Sequence, residues 1–72
     1  MIVTVIGIGL IGGSLALSLK QNGFADQVLG VDQNAAHARK AQDLGIIDEI
    51  VMFEEGVDRA DLIILAAPVN II

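Results

Sequence analysis

The sequence predicts an α/β fold organised around a parallel β-sheet. Two observations carry this prediction: residues 2–6 are five consecutive β-branched residues, and residues 62–66 form a second unbroken apolar run. Such runs are typical of parallel strands that are covered on both faces. Helical patterns lie between the predicted strands, and this alternation predicts parallel pairing through right-handed crossovers. In the usual winding the first four strands lie in the order 3-2-1-4.

The first helix is predicted over residues 10–21, directly after a cluster of glycines. Asn22-Gly23 predicts its end, because glycine favours the left-handed conformation that closes a helix. Apolar side chains at a spacing of four lie on one face of a helix and predict burial against the sheet. These are Ile11, Leu15 and Leu19, with Ala16 beside them.

The second strand and the second helix follow without a linker. Residues 28–31 predict the strand, which ends at Asp32. Asn34 is a suitable N-cap for a helix over about 35–44, and Gly45 terminates that helix.

The remaining elements are shorter. A third strand is predicted near 50–52, and residues 54–59 predict a turn or a single helical turn. Asp61 opens the fourth strand at 62–66, and Pro68 prevents its continuation within a sheet.

The segment Gly7-Ile8-Gly9-Leu10-Ile11-Gly12 joins the first strand to the first helix. The spacing G-x-G-x-x-G in this strand–turn–helix context is the fingerprint of a Rossmann dinucleotide-binding fold. Gly7 allows the tight turn, Gly9 lets the backbone approach a pyrophosphate, and Gly12 allows close helix packing. Backbone N–H groups near Leu10 and Ile11 then face the phosphates. The alternative is a turn in which the glycines serve packing alone.

Asp32 stands at the end of the second predicted strand, twenty residues after Gly12. A carboxylate at this place hydrogen-bonds the adenosine ribose of NAD, and its charge repels the 2′-phosphate of NADP. Gln33 and Asn34 follow, and neither carries the positive charge that an NADP site uses. The sequence therefore predicts NAD in preference to NADP. The alternative is that Asp32 merely caps a turn or the second helix.

Small residues at the end of the fourth strand complete the predicted site. Ligands of open α/β sheets bind outside the carboxyl ends of the strands, where small side chains leave room for a cofactor. A strand simply stopped by proline is the alternative. The predicted cofactor-binding residues are Gly7, Ile8, Gly9, Leu10, Ile11, Gly12, Asp32, Ala66, Ala67 and Pro68.

Other polar residues give weaker signals. His37, Arg39 and Lys40 lie on the second predicted helix and are interpreted as solvent-facing. Ser14 has no neighbouring base, and the acidic residues at 54–61 lack metal-ligand spacing. We therefore predict no catalytic and no metal-binding residue.

Length and composition narrow the class of protein. The 72 residues are about half of a complete dinucleotide-binding domain, so residues 1–72 are predicted to be a partial, truncated Rossmann domain. The apolar share of 54% is high for so short a chain. The excess predicts surfaces that further chain or a partner covers, and we expect a homo-oligomer.

Charge and cysteine content exclude several partners. The net charge is −5, and no basic cluster exceeds two residues, which argues against nucleic acid and anionic membranes. The lack of cysteine excludes disulfides and fits a reducing compartment, so a cytoplasmic location is expected. Residues 1–19 are uncharged, but four glycines within seven residues argue against a membrane span or signal peptide.

The run Gly7-Ile-Gly-Leu-Ile-Gly-Gly-Ser-Leu-Ala16 closely resembles the opening of prephenate and arogenate dehydrogenases, the enzymes of tyrosine biosynthesis. Gly13, followed by Ser14-Leu15-Ala16, is the distinguishing part. Similar pieces recur at 30–32, 44–48 and 60–69, so the resemblance covers the whole chain.

This resemblance implies an NAD-dependent oxidoreductase that oxidatively decarboxylates prephenate, its small-molecule substrate, to 4-hydroxyphenylpyruvate. It implies that Gly7, Gly9 and Gly12 cradle the pyrophosphate, that Asp32 binds the adenosine ribose, and that residues 66–68 pass near the cofactor's far half. The family's catalytic histidine and substrate-binding arginine match no residue here, so the 72 residues alone are expected to be inactive. Another NAD-dependent small-substrate dehydrogenase, or a non-catalytic nucleotide-sensing regulatory domain, remains the alternative.

Overall fold

The computed structural model describes residues 1–8 and 10–66, apart from the side chains of residues 10 and 11. The strands of this part form one parallel sheet in the order β3-β2-β1-β4, which confirms the predicted fold class and winding. Strands and helices alternate along it: β1 (Ile2–Ile6), α1 (Leu10–Gln21), β2 (Gln27–Val31), α2 (Ala35–Asp43), β3 (Glu49–Ile50), α3 (Phe53–Arg59) and β4 (Leu62–Leu65).

β1 lies between β2 and β4, and its side chains alternate between the two faces of the sheet. Val3 and Val5 are fully buried in the main apolar core, which α1 and α2 cover. Thr4 is fully buried on the opposite face, where α3 packs. The central position of β1 explains its uninterrupted β-branched sequence, because both of its faces are covered.

The two longer helices end at the predicted glycines. Gly23 and Gly45 have φ angles of 78° and 76°, in the left-handed region that glycine enters without steric cost. In each case the N–H of the following residue donates to a carbonyl five residues earlier, at 3.0 Å for Phe24 and 2.9 Å for Ile46. Among the described helices, none has both the length and the apolar character needed to cross a membrane.

The buried face of α1 differs from the prediction. Leu15 is expected on that face, but 45% of its surface is exposed. Ala16 is buried and Leu19 is half-buried, as predicted, and Gly12 and Gly13 are buried beside them. The side chain of Ile11 lies outside the described residues. Because glycine brings the helix axis close to the sheet, small residues form the contact and the larger leucine is displaced to the flank.

The limits of several elements also differ. β3 covers Glu49–Ile50 rather than 50–52, because the amides of Asp48 and Val51 donate to carbonyls of β2 and set its register. Residues 54–59, for which the sequence predicts a turn or a single helical turn, are helical and belong to the longer, seven-residue helix α3. β2, α2 and β4 differ from their predicted limits by one residue each.

β4 is less covered than its apolar sequence predicts. It pairs with β1 along one edge, and within the described part of the chain its other edge has no partner strand. Leu62, Ile63 and Leu65 are exposed, although an unbroken apolar run predicts burial on both faces. We call these three side chains the β4 surface.

Candidate functional site

The predicted site residues converge at one edge of the sheet. Gly7, Asp32 and Ala66 each follow the last residue of a strand, namely β1, β2 and β4. Since the strands are parallel, their carboxyl ends lie at the same edge. The sheet therefore brings together residues that are up to 59 positions apart in the sequence.

Gly7 opens the turn between β1 and α1, which we call the glycine turn (residues 7–9). Its φ angle is 83°, and its N–H donates to the carbonyl of Val31 at 2.8 Å. The turn thus extends the pairing of β1 with β2 by one residue before the chain reverses. Because other residues rarely adopt this φ, the geometry agrees with the tight turn predicted for Gly7. Gly9 lies outside the described residues.

Gly12 seats the first turn of α1 on the sheet. A Cβ at this position would lie 2.8 Å from the Cβ of Ala66 and 2.9 Å from the carbonyl oxygen of Gly7. Neither atom is the end of a flexible side chain, so the close approach requires glycine. The N-terminus of α1, which carries partial positive charge and free N–H donors, therefore lies beside the glycine turn.

Asp32 connects the glycine turn to the loop before α2. Its Oδ2 accepts the N–H of Ile8 at 2.9 Å, and its Oδ1 accepts the N–H of Asn34 at 2.9 Å. A carboxylate oxygen has two lone-pair sites, so each oxygen keeps one acceptor site for a further donor. Two neighbouring ribose hydroxyls match this arrangement. The contact with Ile8 gives no signal in the sequence, because it depends on the folding of the turn over β2.

Gly30 makes room for Ile8 on the sheet. A Cβ at Gly30 would lie 2.6 Å from Cδ1 of Ile8 and 2.5 Å from Cδ1 of Ile47. The side chain of Ile8 is buried over β2, and this holds the amide that donates to Asp32. The role of Gly30 in leaving room for Ile8 is not predicted from the sequence, although a glycine inside a strand does signal a close approach of other groups.

Asn34 is the N-cap of α2, as the sequence predicts. Its Oδ1 accepts the N–H groups of Ala36 and His37 at 3.0 and 3.2 Å. The alternative for Asp32 is that it caps a turn or the second helix. Asp32 does close the turn to Asn34, but the cap of α2 is Asn34. The imidazole of His37 is exposed, which agrees with its interpretation as a solvent-facing residue.

Ala66 is the described residue of the predicted cofactor-binding segment 66–68 at the end of β4. It is half-buried, and its N–H donates to the carbonyl of Ile6 at 2.9 Å. Its methyl group lies against Gly12, so its small size is needed for helix packing. Ala67 and Pro68 lie outside the described residues.

An ion pair forms at the opposite edge of the sheet. Lys20 Nζ donates to Asp48 Oδ1 at 2.7 Å, and Asp48 Oδ2 accepts the N–H of Val28 at 2.8 Å. Burial raises the pKa of Asp48, but the Lys20 and Val28 hydrogen bonds and the Lys20 charge outweigh it and hold this pKa below its ordinary value. The pair joins the end of α1 to β2 and is structural.

Acidic residues around α3 have structural partners too. Arg59 pairs with Glu55 at 2.7 Å and with Glu49 at 3.1 Å, and Asp61 Oδ2 accepts the N–H of Ile2 at 2.7 Å. In residues 1–8 and 10–66, no group of three or more His, Asp or Glu side chains is placed to hold a metal ion.

A groove of about 470 Å³ lies between α1 and α2. It includes neither Asp32 nor Gly12, but it adjoins the glycine turn through Ile8. Its lining is mostly apolar, with three polar side chains: Ile8, Gly13, Leu17, Ala41, Leu44 and Ile46 together with Ser14, His37 and Lys40.

Known proteins are similar to this chain in both sequence and fold. A family model described as prephenate dehydrogenase, nucleotide-binding domain, matches residues 15–72. The prephenate dehydrogenase of Lactococcus lactis subsp. cremoris is 41% identical over 69 residues, which are 96% of this chain and 19% of that protein. The glycine turn precedes the residues that the family model matches, but it lies within the 69 residues aligned with the Lactococcus lactis enzyme.

Solved structures agree. Prephenate dehydrogenase from Aquifex aeolicus, in complex with hydroxyphenyl propionate and NAD⁺, has a TM-score of 0.83 at 38% identity, covering 94% of this chain and 24% of that one. For Synechocystis arogenate dehydrogenase the TM-score is 0.82 at 32% identity, with the same coverage of 94% and 24%. The chain spans about a fifth of the length of the curated relatives it matches.

Proposed function

The chain belongs to the prephenate dehydrogenase nucleotide-binding family, and from this premise we propose that it binds the adenosine and pyrophosphate groups of NAD. One observation carries the proposal: the carboxylate of Asp32 is held beside the glycine turn by the N–H groups of Ile8 and Asn34. This leaves one acceptor site on each oxygen for the two hydroxyls of the adenosine ribose.

The phosphates are assigned to the N-terminus of α1. Gly7 closes the tight turn and Gly12 seats α1 against the sheet beside it. We assign the phosphate-binding donors to the backbone N–H groups of Gly9, Leu10 and Ile11. These groups bind negative charge without a lysine. Ala66, Ala67 and Pro68 are proposed to pass beside the cofactor's far half, because the end of β4 adjoins Gly12.

The absence of positive charge beside Asp32 supports NAD over NADP. Gln33 and Asn34 follow Asp32, and the Asn34 side chain is committed to capping α2. A 2′-phosphate at this place meets the like charge of the carboxylate and no cationic side chain from these two positions.

For the parent enzyme we propose the oxidative decarboxylation of prephenate to 4-hydroxyphenylpyruvate. When bound, NAD⁺ would supply the hydride acceptor for this reaction, in which the substrate also loses CO₂. The residues of this chain hold and orient the cofactor, and none is proposed as catalytic, so the 72 residues alone are expected to be inactive. Arogenate is the second substrate candidate, since an arogenate dehydrogenase matches almost as well.

The parent enzyme is further proposed to be a cytoplasmic homo-oligomer without nucleic-acid or membrane partners. The exposed β4 surface supports contacts with further protein. The net charge of −5 supports the lack of nucleic-acid and membrane partners. The lack of cysteine supports a cytoplasmic location.

Calorimetric titration of NADH into the chain tests the proposed binding. We expect saturable binding that Asp32→Ala weakens and that Asp58→Asn, an exposed acid on α3, leaves unchanged. Equal binding by both variants contradicts the site. The substrate is tested with the full-length parent enzyme, by following NADH formation with prephenate or arogenate.

A further inference from the structure

Asn34 lies two residues beyond Asp32 and takes part in two kinds of hydrogen bond. Its backbone N–H donates to Oδ1 of Asp32 at 2.9 Å. Its side-chain oxygen accepts the first free N–H groups of α2, those of Ala36 and His37. One residue therefore links the N-terminus of α2 to the carboxylate at the end of β2.

The direction of the Asp32 carboxylate depends on two donors from different segments. One donor, the N–H of Ile8, is fixed because the Ile8 side chain is buried over Gly30. The other, the N–H of Asn34, lies in an exposed loop. Two contacts besides the bond to Asp32 anchor Asn34 in this loop: its side-chain cap, and its carbonyl oxygen, which accepts the N–H of Ala38 at 3.1 Å. The backbone of Asn34 is extended, with φ −89° and ψ 103°. Losing the side-chain cap loosens the loop, so the N–H of Asn34 holds Oδ1 of Asp32 less firmly and the carboxylate can rotate.

We propose that Asn34 is a positioning residue for cofactor selection, acting through Asp32. This inference rests on the proposed binding of the adenosine ribose by Asp32. The cap keeps both carboxylate oxygens directed so that each has one site open to a ribose hydroxyl. This alignment strengthens the binding of NADH, and the same fixed negative charge repels the 2′-phosphate of NADPH.

Loss of alignment has opposite consequences for the two cofactors. A rotating carboxylate loses hydrogen bonds to the ribose of NADH, which weakens NADH binding. The same rotation relieves part of the repulsion on the 2′-phosphate, so NADPH binding stays constant or improves. A merely structural effect of the cap, in contrast, weakens both cofactors by the same factor.

Three variants of the full chain test this. Asn34→Ala removes the cap, and Asn34→Ser retains a side-chain oxygen that caps helices well. Ala36→Gly is the matched control, because it lowers helix propensity in the same turn by an amount similar to a lost cap but leaves Asn34 intact. Affinities for NADH and NADPH are measured by titration well below the unfolding temperature of every variant. Hydrogen exchange of the Ile8 amide is measured without cofactor.

For Asn34→Ala we expect NADH binding weaker by about five-fold, which corresponds to the net loss of one hydrogen bond to the ribose. We also expect unchanged or stronger NADPH binding and faster exchange of the Ile8 amide. Asn34→Ser is expected to have nearly the same NADH and NADPH affinities as the unmodified protein. Ala36→Gly is expected to keep the ratio of the two affinities.

Two results overturn the inference. The first is a loss of NADH affinity and NADPH affinity by the same factor in Asn34→Ala. The second is a ratio of the two affinities that Ala36→Gly changes as much as Asn34→Ala does. If the unmodified chain binds NADH no better than NADPH, the proposed function itself fails. The exchange rate of the Ile8 amide distinguishes the two failures, because it reports the link from Asn34 through Asp32 without any cofactor.

Discussion

The N–H of Ile8 donates to Oδ2 of Asp32 at 2.9 Å, so the glycine turn is bonded to the side chain that follows β2. The two residues are 24 positions apart in the sequence. Their contact makes the phosphate-binding and ribose-binding parts of the proposed site a single unit. A change at Asp32 therefore affects both the charge of the site and the turn itself.

Replacing Asp32 by serine and Gln33 by arginine is expected to narrow or reverse the preference for NADH. The double variant removes an acceptor of ribose hydroxyls and a negative charge, and it adds a cation for the 2′-phosphate. Hydrogen bonds to a charged group contribute about 1.5–3 kcal/mol, so NADH affinity falls by roughly ten-fold or more. Competitive titration of NADH and NADPH measures the ratio. Equal affinities in the unmodified chain would contradict the role of Asp32.

Two adjacent glycines of α1 are expected to respond oppositely to alanine. A Cβ at Gly12 meets the carbonyl oxygen of Gly7 at 2.9 Å, whereas a Cβ at Gly13 has Ile46 as its nearest neighbour, at 3.9 Å. Gly12→Ala is therefore expected to destabilise the fold by about 1–3 kcal/mol, as overpacked positions do. Gly13→Ala is expected to stabilise it by up to about 1 kcal/mol, because alanine favours helix.

Urea unfolding of both variants measures these changes. The adjacent position is the control, since both substitutions add one methyl group to the same turn of α1. A stability of Gly12→Ala equal to that of Gly13→Ala would show that α1 does not pack as closely as described.

Thr4 provides a buried polar contact beneath α3. Its hydroxyl donates to the carbonyl oxygen of Gly56 at 2.7 Å, and Thr4 has no exposed surface. Thr4→Val keeps the shape but removes the donor, so a loss of about 1–2 kcal/mol in unfolding free energy is expected. Thr4→Ser keeps the donor and loses one methyl group, at about 1 kcal/mol. Thermal unfolding compares the two, and a valine variant as stable as the original chain would exclude a stabilising hydrogen bond.

The Lys20–Asp48 pair predicts a pH dependence of stability. The pKa of Asp48 is lower in the folded protein than in the unfolded chain, so its ionised form stabilises the fold above the unfolded pKa. This contribution is lost as the pH falls through the folded pKa. The stability gap between the unmodified chain and Asp48→Asn is therefore expected to be constant near neutral pH and to shrink below about pH 4.

Asp26 shifts in the same direction, because a hydrogen bond from the N-terminal amine and the charge of that amine lower its pKa. The test therefore uses the difference between the unmodified chain and Asp48→Asn, in which the contribution of Asp26 cancels. Asp58→Asn serves as the control substitution. A gap that widens toward acid pH contradicts the assignment.

The β4 surface predicts self-association of the 72-residue chain. Leu65, with 68% of its surface exposed, and Ile63, with 43%, lie on a strand whose outer edge has no partner strand in residues 1–8 and 10–66. We expect the chain to sediment as dimers or larger species at high concentration, and Ile63→Lys to shift it toward monomer. A monomer at all concentrations rules out this role of the β4 surface.

Much of the fold follows from local patterns. The run of β-branched residues in β1 and the glycines after α1 and α2 act within a few residues, so strand, helix and helix end are predictable there. Leu15 and the β4 run are the exceptions. Helical spacing shows which residues share a face but not how closely that face approaches the sheet, and a buried-strand pattern does not show which neighbour covers it.

The sequence by itself determined the glycine turn and the acid at the end of β2, because glycine geometry and strand periodicity are local properties. It also determined the strand order, because alternating strands and helices follow one usual winding. Tertiary structure alone decided that Ile8 and Asn34 direct Asp32, that Gly30 makes room for Ile8, and that Thr4 bonds Gly56. Each of these contacts joins different segments of the chain. Such contacts depend on the separation of packed layers to within a few tenths of an ångström, and sequence spacing carries no information on that distance.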